Sequence, residues 1–206
     1  MLKKILAATL LTLVFTAGAA FAADIMLPTP EKEGGMPVFE ALSNRSSAKA
    51  DIFENKEIPL KELSTLLWAA TGKNRDKGWT VPMAMGSEPY INIYVLLKNG
   101  VFEYNWEKNM LMQISERNMI ERAGRQEFLQ TVPCVFVFAT KGAGPRKDSW
   151  AEVAVGAMSQ NVYLAAESLG LKARYMASFN NESLLSVMEM NPLSRIISIM
   201  PVGYQK

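Results

Sequence analysis

The longest helical pattern in the chain, residues 148–169, is the feature that most constrains the fold. Apolar side chains are spread around this helix and leave almost no polar face. A helix of this kind is buried at the centre of a domain or at a subunit interface, because its apolar surface would otherwise face water. Gly170 follows at a position that commonly ends a helix. We therefore expect this helix to be buried either in the centre of the domain or in a subunit interface.

Four further helices are predicted from spacing and capping patterns. An apolar stripe at helical spacing follows Pro59 and stops at Gly72. The others are a short helix over residues 37–42, a helix that Ser115 caps and that runs through Ala123, and a helix capped by Asn180.

Runs of apolar and β-branched residues predict the strands, which cover residues 91–97, 101–105, 110–114, 132–140, 172–177 and 195–202. The dipeptide Asn99-Gly100 between the first two runs is typical of a hairpin turn. Helices mixed with a largely antiparallel sheet make the fold class α+β. A chain of 206 residues usually forms one domain.

Residues 1–22 have the pattern of a secretory signal peptide. Two lysines precede an uncharged run over residues 5–19, and Ala20 and Ala22 supply small residues where a signal peptidase checks them. The alternative is a membrane anchor, but a run of roughly 15 apolar residues is short of the ~20 that a bilayer needs. We therefore predict cleavage near Ala22, a periplasmic or secreted location and no stable membrane anchor in the mature protein.

Residues 23–37 are rich in proline and glycine and are interpreted as a flexible leader, with the folded domain over residues 38–206. Loss of Lys3 and Lys4 with the signal peptide leaves 20 of the 22 basic residues, which balance the 20 acidic residues. A neutral mature protein lacks the positive charge that nucleic-acid binding requires. No nucleic-acid partner is therefore expected.

The histidine and cysteine content excludes several classes of site. The chain has no histidine and one cysteine, so Ser-His-Asp catalysis, histidine metal sites and an internal disulfide are all excluded. The cysteine, Cys134, lies in an apolar run and is predicted to be a buried, inert thiol.

A basic segment near the start of the domain is the first candidate site. Arg45, Ser46, Ser47 and Lys49 place two cations and two hydroxyls within five positions. Such a set suits a phosphate, because arginine and lysine neutralise it and hydroxyls donate to its oxygens. An exposed polar turn would have the same composition, so the pattern alone leaves both interpretations open. The loop before residue 91 is a second candidate, since loops at strand ends often line ligand sites.

Four motifs in order along the chain carry a resemblance to a known family. They are LSTLLWAATGKNR over residues 63–75, NGVFEY over 99–104, SQNVYLAAESLG over 159–170 and PVGY over 201–204. From about Phe39 to Tyr204, the chain resembles the FMN-binding nitroreductase family, especially its branch related to SagB-type dehydrogenases. The resemblance implies a nitroreductase-like fold, with a central, mostly antiparallel sheet flanked by helices, and a homodimer that binds FMN at the subunit interface.

The resemblance also implies a set of cofactor-binding residues. Arg45, Ser46, Ser47 and Lys49 match the motif that holds the FMN phosphate and ribityl chain, and Lys206 matches a second phosphate-binding cation. Pro82, Met83, Ala84, Met85 and Gly86 match the loop along the flavin ring. Ala177 and Ser178 lie in the segment, residues 175–179, that matches the one near the flavin's reactive nitrogen.

The implied activity is that of an exported FMN-dependent oxidoreductase, which passes a hydride or two electrons from a small-molecule donor to a small-molecule acceptor. No catalytic side chain is assigned, because flavin chemistry does not demand one. Met83 stands where the family branch usually has serine, and Gly86 where a polar residue is common. These departures keep open a non-catalytic protein that binds flavin or another flat ligand. A membrane-tethered partner protein is the third alternative, if residues 1–22 are retained.

Overall fold

The computed structural model describes residues 23–49, 53–83, 87–142, 145–188 and 190–206. The predicted signal peptide, residues 1–22, lies outside the described residues. Among the helices of these ranges, none is both long enough and apolar enough to span a bilayer.

A seven-stranded sheet forms the centre of the domain, and its neighbouring strands pair antiparallel. Its strands are β1 (Ile25–Met26), β4 (Ile91–Leu97), β5 (Gly100–Asn105), β6 (Met110–Ser115), β7 (Cys134–Thr140), β8 (Leu171–Ala173) and β9 (Ile196–Tyr204). They lie side by side in the order β1-β6-β5-β4-β7-β9-β8. A separate small ribbon pairs β2 (Lys73–Arg75) with β3 (Gly78–Trp79). The apolar run over residues 132–140 is explained by its place in the sheet, because β7 is buried along its whole length.

The hairpin predicted at Asn99-Gly100 is confirmed. Strands β4 and β5 pair from Leu97 and Gly100 onward. Gly100 has a φ of 152°, and a Cβ at this position would lie 2.4 Å from the carbonyl oxygen of Ser115. Only glycine fits this combination of a positive φ and a close approach of a third strand.

Helices and short turns cover the two faces of the sheet. The helices are α1 (Val38–Asn44), α2 (Leu60–Thr71), α3 (Pro145–Ser168) and α4 (Asn181–Leu185). One core cluster joins α2 and α3 to one face of the sheet, and a second cluster on the other face includes residues of the turns after β6 and of α4. The predicted α+β class and the mostly antiparallel sheet flanked by helices are confirmed.

Helix α3 starts three residues before the predicted helix and has a clear outer face. Ala151, Val155 and Met158 are buried against the sheet. Trp150 and Val153, in contrast, are 51% and 61% exposed. A single chain therefore does not cover this helix on all sides, because its apolar residues divide between a core-facing side and an open side. Burial of the open side at a subunit interface stays a prediction.

The helix predicted from Ser115 is wrong. Strand β6 continues through Ser115, which pairs with Val101 of β5, and its hydroxyl accepts a hydrogen bond from the Arg117 amide at 3.2 Å. Within the predicted range, a short 3-10 turn, Glu121–Ala123, follows in place of the helix. The Asn180 cap is confirmed, since its side chain accepts from the Ser183 amide at 3.2 Å.

Residues 23–37, interpreted as a flexible leader, are bound along the domain. Strand β1 pairs with β6 at the sheet edge, and Leu27 is 7% exposed within the core beside α2. The Glu31 amide donates to the Thr65 hydroxyl at 2.9 Å, and the Met36 amide to the Ser168 hydroxyl at 2.8 Å. The segment lacks helix, as its prolines and glycines indicate, but its amides and one apolar side chain fix it to α2 and α3.

Candidate functional site

The basic segment lies along the edge of the sheet at β8. Ser47 forms a parallel bridge with Ala173, and the Ala48 amide donates to the Ala173 carbonyl at 2.8 Å. Ala48 points into the protein and is 2% exposed, whereas Ser47 and Lys49 on either side of it are exposed. The alternation of an extended backbone therefore presents the hydroxyl and the ammonium on one side of the segment.

Tyr163 of α3 connects the basic segment to the rest of the candidate site. Its hydroxyl lies 2.8 Å from the Ser47 hydroxyl and accepts a hydrogen bond from the Tyr175 amide at 2.7 Å. The Arg45 guanidinium lies over its ring, 5.0 Å from the centroid. Because Tyr163 is 7% exposed, its ring is a fixed support for both Arg45 and Ser47.

Arg174 holds the same segment from the other side. Its Nη1 donates to the Ala48 carbonyl at 2.9 Å, and its guanidinium lies over the Phe128 ring at 5.6 Å from the centroid. Neither Tyr163 nor Arg174 was predicted as a site residue. Tyr163 does lie in one of the four motifs that carry the family resemblance, but Arg174 has no sequence signal apart from its position within the predicted strand over residues 172–177.

The cations of this region have no acidic partner among the residues that the structure describes. The ion pairs among all the described residues join Lys61 to Glu31, Lys172 to Glu167 and Arg195 to Glu152. Arg45, Lys49 and Arg174 therefore concentrate positive charge beside the exposed Ser47 hydroxyl. Such a group favours an anion with several oxygens, since each cation can make a charge-assisted hydrogen bond.

Ala177 and Ser178, which the resemblance places near the flavin ring, come shortly after Tyr175 in the chain. Tyr175 is bound to Tyr163, the Met176 backbone pairs with Ile199, and Ala177 and Ser178 are exposed after them. The structure therefore brings residues 175–178 to the same edge of the sheet as Arg45 and Ser47.

The other predicted site residues differ in their surroundings. Pro82 is exposed, whereas Met83 is buried in the core beside α2. Ala84, Met85 and Gly86 lie outside the described residues. Lys206 is exposed. It follows Gln205, which forms an isolated antiparallel β-bridge with Phe53, a residue that comes after the basic segment in the chain.

Cys134 is confirmed as a buried thiol. It is 0% exposed within β7, and burial raises the pKa of the thiol because the charged thiolate would lose its hydration. Cys134 therefore takes no part in chemistry at the surface.

A phosphate monoester fits the residues at the β8 edge. Two of the cations are fixed by an aromatic ring each, and the Ser47 hydroxyl is exposed between Arg45 and Lys49. This charge and donor set matches what a phosphate group of a cofactor requires. The fit concerns the phosphate end only, because the middle of the loop over residues 82–86 is not described.

Comparison with known proteins assigns the family. The model of the nitroreductase family matches residues 42–204. The crystal structure of a proposed nitroreductase from Ralstonia eutropha JMP134 superposes with a TM-score of 0.81 at 31% identity, covering 89% of this chain and 90% of that chain. A proposed nitroreductase of Methanocaldococcus jannaschii is 28% identical over 196 residues, which are 87% of this chain and 96% of that protein.

A more distant structure shares the fold. The FMN-dependent nitroreductase of Clostridium difficile R20291 has a TM-score of 0.55 at 16% identity, covering 80% of this chain and 85% of that chain. The narrower resemblance to SagB-type dehydrogenases stays a prediction. The family match over most of the described domain and the 31% identical structure agree with each other. The chain therefore belongs to the nitroreductase family.

Proposed function

We propose that this nitroreductase-family oxidoreductase depends on FMN and binds the FMN phosphate with Arg45, Ser47 and Lys49. The observation that carries the proposal is the anchored basic segment, whose cations lack acidic partners among the described residues. The distant C. difficile protein, which is FMN-dependent by name, supports the choice of cofactor.

Each residue of the site has a binding or orienting role. Arg45 and Lys49 neutralise the phosphate, Ser47 donates a hydrogen bond to it, and Arg174 holds the backbone of the segment through the Ala48 carbonyl. Ala177 and Ser178 contribute to the ring side. Bound FMN supplies a carrier for a hydride or two electrons between a small-molecule donor and acceptor.

Replacement of Arg45 by alanine tests the phosphate contact. A charge-assisted hydrogen bond contributes roughly 1.5–3 kcal/mol when sheltered from water, so Arg45→Ala should weaken FMN about ten- to a hundredfold. Riboflavin has no phosphate, and its affinity should change far less. Both dissociation constants are measured by quenching of flavin fluorescence, with Arg117→Ala, an exposed arginine after β6, as the matched control. Equal losses of FMN and riboflavin would contradict the assignment.

A non-catalytic flavin-binding protein is the second candidate. It is favoured by the burial of Met83, which stands where the family branch has serine and packs in the core instead of offering a hydroxyl. The two candidates differ in one measurement. An oxidoreductase reduces its bound flavin with a nicotinamide or quinol donor and reoxidises it with an acceptor, whereas a binding protein leaves the flavin oxidised with every donor.

We also propose export, on the pattern of residues 1–22. N-terminal sequencing of the protein from its native cells should find Ala23, or a residue within one or two positions of it, at the start. A folded soluble protein that retains Met1 would contradict export.

A homodimer is the proposed assembly. Val38 and Phe39 of α1 are 57% and 83% exposed, and Trp150 and Val153 of α3 are also largely exposed. An open groove of about 340 Å³ lies between these helices, with Val38 and Leu164 in its wall. Exposed apolar side chains on two helices of one face favour an interface, because single soluble chains rarely leave large apolar patches in water. The second copy would cover the outer side of α3.

A further inference from the structure

The Tyr163 hydroxyl makes two hydrogen bonds, one with the Tyr175 amide and one with the Ser47 hydroxyl. A phenol hydroxyl offers one proton and two lone pairs. The Tyr175 amide can only donate, so it takes one lone pair of the Tyr163 oxygen at 2.7 Å. The contact of 2.8 Å between the hydroxyls of Tyr163 and Ser47 can run either way in the free protein.

A bound phosphate removes that freedom. If Ser47 donated to Tyr163, it would turn only lone pairs toward the phosphate oxygens, which also carry only lone pairs. If Tyr163 donates instead, the proton of Ser47 is free to point at the phosphate. The favourable arrangement is therefore a chain of donors from the Tyr175 amide through Tyr163 and Ser47 to the phosphate, in which each bond polarises the next.

The same tyrosine also supports the neighbouring cation. The Arg45 guanidinium lies over its ring, so one side chain on α3 contacts two of the three phosphate-binding residues. Because Tyr163 is 7% exposed on a long helix packed against the sheet, its position does not depend on the surface segment that it holds.

We propose that Tyr163 is a positioning residue that directs the Ser47 hydroxyl at the cofactor phosphate and couples the ring-side segment after Tyr175 to the phosphate-binding segment. The inference rests on the proposed binding of FMN. It adds a residue outside the basic segment that sets the preference of the site for phosphorylated over unphosphorylated flavin.

A double-mutant cycle of Tyr163→Phe and Ser47→Ala tests the proposal, with dissociation constants for FMN and riboflavin as the readout. Each single variant should weaken FMN about ten- to a hundredfold and riboflavin less than about twofold, as expected for loss of one hydrogen bond to a charged group. The double variant should be no weaker than Ser47→Ala alone, because Tyr163 acts through Ser47. Tyr94→Phe, which changes a buried tyrosine of strand β4 away from the site, controls for general loss of stability.

A second readout needs no flavin. Hydrogen exchange of the Tyr175 amide in the free protein should be faster in Tyr163→Phe than in the wild type, since the amide loses its acceptor, and unchanged in Tyr94→Phe. Unchanged exchange in Tyr163→Phe would overturn the coupling. Additive losses in the cycle, or equal losses of FMN and riboflavin, would overturn the directed donor chain. A wild type that binds no FMN but protects the Tyr175 amide would overturn the proposed function and leave the Tyr163 hydrogen bond confirmed.

Discussion

Glu103 is an acidic residue in an unusual place, the interior strand β5, where it lies opposite Tyr94 of β4. Burial raises the pKa of the Glu103 carboxyl, because a carboxylate loses hydration there, and the charge of Lys141 only partly opposes this effect. A raised folded-state pKa favours the protonated form. The contribution of Glu103 to stability is therefore fully present below its ordinary pKa of about 4.3 and is lost as the pH rises through the folded-state value.

Substitution of Glu103 by glutamine should accordingly stabilise the protein at neutral pH, because the charged form is absent. The gain should vanish as the pH falls below the ordinary carboxyl pKa of about 4.3, where the wild type is also neutral. Urea unfolding at several pH values measures the difference, and Glu107→Gln, an exposed neighbour, should show no such trend. A gain for Glu103→Gln that is the same at every pH would contradict the assignment.

The proposed phosphate-binding residues show what sequence can and cannot predict at this scale. Arg45, Ser47 and Lys49 are close in sequence, so their shared chemistry was visible as a pattern. Tyr163 and Arg174 reach the same place from α3 and the end of β8, and only the packing of these elements brings them to Ser47 and Ala48. The position of Met83 was likewise not predictable, because a methionine in a loop can face the core or solvent.

At the scale of elements, the N-terminal segment is the clearest test of the fold. Leu27 follows β1 and packs in the core, whereas Met26 beside it is 66% exposed. Replacing a buried leucine by alanine commonly costs about 2–5 kcal/mol. Leu27→Ala should therefore lower the free energy of unfolding by an amount in that range, measured by urea denaturation.

Met26→Ala is the matched control and should change the free energy of unfolding by less than about 0.5 kcal/mol, as is usual for surface positions. If both variants left the stability unchanged, residues 23–37 would behave as the flexible leader that their composition indicates.

Sequence predicts the elements that have strong hydrophobic periodicity, but it does not predict the elements whose extent depends on pairing between strands. Helices α2 and α3 and the central strands agree with their patterns because burial imposes a regular spacing on them. Ser115 is a good helix cap in isolation, but its pairing with Val101 extends β6 instead. The binding of residues 23–37 to α2 and α3 depends on contacts such as Glu31 to Thr65, which no local pattern reveals.

At the scale of the whole molecule, the exposed apolar residues of α1 and α3 predict the assembly. A glutamate at Val153 would place a charge in the proposed interface, where burial of an unpaired carboxylate is costly. Val153→Glu should therefore shift the protein from dimer to monomer. Light scattering at micromolar concentration measures the mass, and Leu185→Glu, an exposed leucine of α4, should leave the dimer intact. A wild type that is monomeric with flavin present would contradict the dimer.

The absorbance spectrum of the wild-type protein, purified from its native compartment and then titrated with FMN, tests the central claim most directly. The account predicts that the protein carries the visible absorbance of oxidised flavin, or takes it up from micromolar FMN until protein and flavin are present in equal molar amounts. It also predicts that riboflavin binds more weakly, because the basic segment from Arg45 to Lys49 has no phosphate to hold. A colourless protein that binds neither flavin would contradict it.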